Sequence, residues 1–290
     1  MHFKDLRGKR ALVTGASSGM GKEFAQQLAS YGMHLILTAR SQERLAAVAQ
    51  EIKEKHKVDV EIILDDLSSN GAPKRIYNMV QRKNLEIDLL INNAGFGYVG
   101  RFEDEDYDHA RGLDMVNVVS LVSLTRLFLP HMLLKDKDPK KKSEEKKPVK
   151  GIINVASLMG LQAFPYAANY AASKAFVYSF SQALWHEYKD RGVRVVCLCP
   201  GLTKTNFGKE VGKESLFQRG LDPKIVVEEA ILALLENEPV IVPEEQKNVM
   251  LQYGSRFLPR KTVLQRTARL FAPRSAEDSQ SRYDSDAGKK

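Results

Sequence analysis

The hydrophobic residues of this chain follow two alternating patterns: short continuous apolar runs, and longer stretches in which apolar positions recur every three or four residues. The runs at 10–13, 34–38, 58–64, 87–91, 151–155, 193–198 and 240–242 are short and apolar on both alternating faces, which predicts seven strands buried from both sides. The stretches between them predict helices. In 41–55, Leu45, Val48 and Ile52 share one face and Ser41 is placed as an N-cap. A second long helix spans 166–188, and another ends near Leu134. Strands that alternate with helices run parallel and are joined by crossovers. The pattern predicts an α/β protein: a single doubly wound domain whose seven-stranded parallel sheet carries helices on both faces.

The periodicity breaks in two places. Residues 135–150 (KDKDPKKKSEEKKPVK) read as an exposed lysine-rich loop inserted between a helix and a strand. After Gly254 the pattern changes again: FLPRKTVLQRTARLFAPR sets apolar pairs between Arg and Lys, and the final SAEDSQSRYDSDAGKK has the composition of a disordered segment. The expected organisation is one domain over 1–254 and a basic extension over 255–290.

At 290 residues and 43% hydrophobic, the chain can bury one large core or two small ones. Its net charge of +8 comes from the two irregular segments. The insertion holds eight lysines against four acids and the extension nine basic residues against four, so the body is close to neutral. A nucleic-acid binder would carry its cations on a face of the folded domain, so no nucleic-acid partner is expected. Cys197 and Cys199 stand in an apolar run without His or Cys at metal-ligand spacing; they read as buried strand residues of a reducing compartment, with no metal site. The charged start MHFKDLRGKR lacks the apolar segment of a signal peptide, and the uncharged stretch 151–173 holds too many polar groups to span a bilayer. Both point to a cytoplasmic protein.

The first strand runs directly into TGASSGMG and then into a helical pattern. Gly15, Gly19 and Gly21 allow a tight turn and close approach of backbone N–H groups to a pyrophosphate at a helix N-terminus, with the strand and helix context of a dinucleotide-binding Rossmann domain. The second strand ends at Ala39 and Arg40, with no acid before Glu43. A carboxylate there would accept from a ribose 2′-hydroxyl, whereas a guanidinium pairs with a 2′-phosphate, so Arg40, near Ser17 and Ser41, favours NADP(H) over NAD(H). Asp66 follows the third strand and Asn92, Asn93, Ala94 and Gly95 the fourth, at the carboxyl edge where open α/β sheets bind ligands.

Tyr170 and Lys174 lie one turn apart on the 166–188 helix; Ser157 follows a strand thirteen residues before Tyr170, and Asn117 sits in a helical pattern ahead of the insertion. A free tyrosine titrates near ~10, so acid–base work at neutral pH asks for about three units, or roughly 4 kcal/mol. One ammonium about 4 Å away at an effective dielectric of ~20 supplies on the order of that amount.

In order along the chain, TGASSGMG, NNAG, Asn117, Ser157, YAASK and PGLTKT resemble the motifs of the short-chain dehydrogenase/reductases, over about residues 6–242. The resemblance implies that Gly15, Ser17, Ser18, Gly19, Met20 and Gly21 bind the pyrophosphate and its ribose. Asp66 and Leu67 would contact adenine, and Asn93, Ala94 and Gly95 the adenosine ribose. Lys174 would hold the nicotinamide ribose and lower the pKa of Tyr170, Ser157 would orient the substrate carbonyl, and Asn117 would keep a water for proton relay. Pro200, Gly201 and Thr203 would flank the nicotinamide. It further implies hydride transfer between the nicotinamide and a carbonyl or alcohol substrate, and a homodimer or homotetramer. Met20, in place of the usual branched aliphatic, and the lysine-rich insertion depart from the pattern without removing a reacting group.

Met159, Phe164, Tyr166 and Phe207 suggest an apolar pocket for a lipid-like, steroid-like or other hydrophobic ketone, or else belong to the core. The extension, with Phe257, Leu258, Val263, Leu264, Leu270 and Phe271 among arginines, fits either an anionic membrane surface or a cover over the pocket mouth. The competing class is an NADPH-binding sensor or scaffold without turnover.

Overall fold

The structure, a computed structural model, describes residues 2–133, 150–243 and 257–272. Most of the lysine-rich insertion and the last residues of the extension lie outside the described residues. Among the described residues one sheet runs β3–β2–β1–β4–β5–β6–β7, every pair parallel. The strands are β1 (Arg10–Thr14), β2 (His34–Ala39), β3 (Val60–Leu64), β4 (Leu89–Asn92), β5 (Gly151–Val155), β6 (Arg194–Leu198) and β7 (Val240–Ile241). Val58 and Ile87 extend the apolar runs of β3 and β4, but they pack into the core ahead of the first ladder pair.

Alternation along each strand sends side chains to opposite faces. Ala11, Val13, Leu35 and Leu37 join one core with α1 (Gly19–Ser30), α2 (Gln42–His56) and the helix Pro223–Glu236. Leu12, Ile36, Leu90 and Ile152 join the other, under α3 (Ala72–Arg82) and the helices Leu121–Met132 and Ala168–Tyr188. Both faces are covered, as the doubly wound reading requires.

A helical stretch, Tyr107–Met132, is long and apolar enough to cross a membrane, yet half of its most apolar window is buried in this fold. It comprises α4 (Tyr107–Asp114), a π-helical segment Met115–Ser120 and α5 (Leu121–Met132). Leu124, Phe128, Leu129 and Met132 are spent in the core. Further helices are α6 (Ala168–Tyr188), the short α7 (Phe207–Glu210) and α8 (Glu214–Phe217), α9 (Pro223–Glu236) and α10 (Arg260–Phe271). Helix α10 lays Val263, Thr267 and Phe271 against the domain, and the Thr267 hydroxyl donates to the Ala163 carbonyl at 3.3 Å.

Buried polar side chains tie strand ends to helices. Asn92 Nδ2 donates to Thr125 Oγ1 (3.1 Å) and to Asn154 Oδ1 (2.9 Å), and Asn154 Nδ2 donates to Ser181 Oγ (3.0 Å). Asn154→Ala leaves a donor and an acceptor stranded in the core, and should lower the unfolding free energy by about 2–3 kcal/mol. Urea denaturation checks this, and a loss under about 0.5 kcal/mol would contradict it.

Candidate active site

The site is built from loops that leave the carboxyl ends of the strands. After β1 the chain turns through Gly15 at φ +65°, where a Cβ would lie 2.9 Å from Asn93 Nδ2 and 3.0 Å from Ala94 Cα. A Cβ on Gly21 would overlap the Gly15 carbonyl. These two glycines let α1 start against the strand ends. Thr14 Oγ1 locks the neighbouring loop by accepting from the N–H groups of Asn93 (3.0 Å) and Ala94 (2.9 Å). Ser18 caps α1 by backbone geometry, with no side-chain bond to the helix, and Ser41 does the same for α2. Ser17, Ser18 and Ser41 line one cleft of about 200 Å³ together with Gly15, Gly19 and Met20. Arg40, Asp66, Leu67, Asn93, Ala94 and Gly95 line the same cleft, whereas Gly21 lies beneath it as packing. One Asp66 carboxylate oxygen already accepts from the Ser68 N–H and hydroxyl.

Arg44, in the first turn of α2, lines this cleft as well. Arg44 was not among the expected site residues, and its only mark in the sequence is a cation in the first turn of the helix that follows β2. Glu210 of α7 closes the same side; burial pushes its carboxyl up, and Arg40 and Arg44 pull it back down.

A second cavity, of about 310 Å³, continues from the first and shares Met20, Asn93, Gly95, Thr205 and Phe207 with it. Ser157, Tyr170 and Lys174 stand in its wall, with Pro200, Gly201 and Thr203 beside them. Tyr170 is 7% exposed and Lys174 4%. Ser157 Oγ accepts from the Met159 N–H at 3.1 Å, which leaves its hydroxyl proton to donate elsewhere. Burial pushes the Tyr170 phenol up to about 12, and the nearby Ser157 hydroxyl pulls it down in part. The Lys174 ammonium donates to the Val155 carbonyl at 2.9 Å and lies 5.7 Å from the centroid of the Tyr170 ring. Burial lowers it to about 8, opposed by the Cys197 and Cys199 thiols beneath it. Protein groups alone therefore do not deliver the downward shift expected for the phenol. Desolvation outweighs an ammonium aimed at a backbone carbonyl.

Asn117 lines neither cavity: at 1% exposure it is packed behind both. Its Nδ2 donates to the Phe96 carbonyl (3.0 Å) and Ser173 Oγ (3.1 Å), and its Oδ1 accepts from the Phe96 N–H (3.2 Å). The amide is thus spent on holding the β4 loop against α6. A Cβ on Gly95 would sit 2.9 Å from Asn117 Oδ1 and 3.2 Å from Lys174 Nζ, so that glycine lets the two approach.

The rest of the second cavity is apolar. Leu158, Met159, Phe164, Phe207 and Phe217 line it, closed on one side by Leu270 and Phe271 of α10. Tyr98 and Val99 from the loop after β4 also contribute. Met159, Phe164 and Phe207 thus do face a cavity, whereas Tyr166 does not line it and packs against the adjoining apolar cluster; the extension reaches the cavity wall.

The first N–H groups of a helix have no partner within it, and here those of α1 meet a glycine turn, unspent serine hydroxyls and two arginines. That donor set fits a phosphorylated dinucleotide. A doubly wound sheet carrying such a cleft beside a Ser–Tyr–Lys wall defines a nucleotide-binding oxidoreductase scaffold. The family model for short chain dehydrogenases matches residues 9–216, and the chain belongs to the short-chain dehydrogenase/reductase family. It is 37% identical over 208 residues to the very-long-chain 3-oxoacyl-CoA reductase of Mus musculus, an alignment covering 70% of this chain and 62% of that protein. It is 32% identical to an uncharacterised oxidoreductase of Staphylococcus saprophyticus, over 83% of this chain and 97% of that one. Among solved structures, the short-chain dehydrogenase from Sphingobium yanoikuyae in complex with NADPH superposes with a TM-score of 0.73 at 26% identity, covering 92% of this chain and 97% of that one.

The buried ammonium predicts a trade between stability and chemistry. Lowering Lys174 from 10.5 to about 8 costs the fold about 3 kcal/mol below pH 8, partly offset by about 1 kcal/mol from the Val155 hydrogen bond. Lys174→Met should then raise the unfolding free energy at pH 7 by about 2 kcal/mol. Between pH 8 and 10.5 the unfolded chain binds more protons than the folded one, so the parent gains stability with rising pH and the variant's advantage shrinks. Denaturant unfolding at several pH values checks this. An advantage that grows with pH would contradict it.

Proposed function

We propose that this chain is an NADP(H)-dependent oxidoreductase that interconverts a carbonyl and a secondary alcohol on a hydrophobic substrate. The observation that carries the reading is the Ser157–Tyr170 pair, the polar end of an otherwise apolar cavity that opens into the glycine-lined cleft. The bound nicotinamide supplies or takes the hydride. The chain's residues handle the oxygen. Ser157 donates its free hydroxyl proton to the carbonyl oxygen, and Tyr170 gives that oxygen its proton in reduction and recovers it in oxidation. Lys174 holds the nicotinamide ribose and supplies positive charge beside the phenol. Asn117 is a positioning residue: its amide holds the Gly95–Phe96 loop against α6. The apolar wall excludes bulk water from the reacting groups.

Arg40 just after β2 and Arg44 in the first turn of α2, with no acid at the end of β2, support NADP(H) over NAD(H). The cavity suits a lipid-like or steroid-like ketone or a 3-oxoacyl thioester, and similarity to very-long-chain 3-oxoacyl-CoA reductases favours the thioester. The mouse protein is longer than the aligned region, so its activity enters here as a guide to the assay panel. A sensor that only binds NADPH has no need of a buried Ser157–Tyr170 pair at a cavity wall. We propose a cytoplasmic protein with peripheral membrane contact, and a homodimer or homotetramer that covers the exposed Val119 and Phe176.

NADPH consumption across apolar ketones, aldehydes and 3-oxoacyl thioesters tests the reading. Tyr170→Phe should cost at least about a hundredfold in turnover with NADPH affinity retained, and full activity in that variant would overturn the mechanism. With the phenol near 12, reduction should hold through neutral pH and alcohol oxidation should climb as pH rises. Arg40→Ala with Arg44→Ala should weaken NADPH binding about tenfold or more and leave NADH nearly unchanged. An equal loss for both dinucleotides would remove the assignment.

A further inference from the structure

Helix α10 has two faces with different roles. Its inner face is spent on the protein, with Phe271 edge-on to Phe164 at 6.0 Å and Val263 and Thr267 buried. Its outer surface carries Arg260, Lys261, Arg266 and Arg269, all exposed, and residues 257–272 contain no acid. Exposed apolar side chains border the buried stripe, Leu270 (61% exposed) on one edge and Leu264 (40%) on the other, and Phe257 just ahead of the helix is 84% exposed. A solvated helix face commonly interleaves acids with its bases at i, i+4 spacing. This one is of a single sign.

We infer that this face of α10 docks on an anionic lipid bilayer and sets the mouth of the apolar cavity at the lipid surface. The cations match lipid phosphates and carboxylates, and Phe257, Leu264 and Leu270 match the boundary beneath the headgroups. A polynucleotide would satisfy the arginines but gain little from two exposed leucines. Leu270 makes the link to the site: it is exposed on the helix and lines the cavity that holds Ser157 and Tyr170. An apolar substrate dissolved in the bilayer would then meet an apolar edge leading inward. That delivery step rests on the proposed function, whereas docking itself does not.

The full chain is sedimented with vesicles of phosphatidylcholine alone and of phosphatidylcholine with an equal part of phosphatidylserine. Retention on the mixed vesicles, falling as salt is raised, with little on phosphatidylcholine alone, is the expected result. Arg266→Gln with Arg269→Gln should weaken retention about thirtyfold. NADPH binding in that variant should match the parent, which shows it folded. Leu270→Ser should also weaken retention. Equal retention of parent and double variant, equal retention on both vesicle types, or preferential capture by heparin in the presence of excess mixed vesicles would each overturn the inference. The readout needs no turnover, so an inactive protein that still binds the mixed vesicles would refute the proposed activity and leave the docking intact.

Discussion

Every loop of this site leaves the carboxyl end of a parallel strand, and once past the last ladder bond its backbone must be held by something other than the sheet. Here that work falls to a few short polar side chains. Thr14 binds two N–H groups of the loop after β4, Asn117 binds Phe96 from both sides, and Ser120 donates to the Leu67 carbonyl at 2.7 Å. Each ties one strand-end loop to a neighbouring strand or helix. The cofactor cleft and the apolar cavity are the space left between loops fixed in this way.

The same constraint explains why the site is costly. Packing the β5 end against α6 removes Lys174 and Tyr170 from water, and desolvation pushes both toward their neutral forms. A neutral phenol is a proton donor waiting for an acceptor oxygen. A weakly held ammonium responds strongly to any hydroxyl or charge brought beside it. The chain tolerates these groups because the separate apolar cores on the two sheet faces are together large enough to absorb the penalty.

Alternation of apolar runs with helical periods was sufficient for the seven strands, their parallel sense and the two covered faces, because a two-sided core demands that pattern. That the glycine turn, Arg40, Ser157, Tyr170 and Lys174 line two adjoining cavities was legible because their placement depends on local spacing and on the end of a strand. What escaped depends on tertiary contact. The three bonds of the Asn117 amide involve Phe96 and Ser173, distant in the chain, and its π-helical setting has no strong sequence mark. Nor does spacing show that Tyr98 and Phe271, far apart in sequence, share one cavity. The phenol's upward shift was missed because a pairwise estimate counts the ammonium but not the burial.

The proposed function requires that Tyr170 and Ser157 act on a carbonyl oxygen within hydride reach of a dinucleotide held by the glycine cleft. The most direct test follows deuterium from nicotinamide-labelled NADPH into the carbinol carbon of a bulky apolar ketone or a 3-oxoacyl thioester. One deuterium should be transferred per NADPH consumed, to one face of the carbonyl, with no transfer in Tyr170→Phe that still binds NADPH. NADPH bound tightly, with no label reaching any substrate of either class, would contradict it.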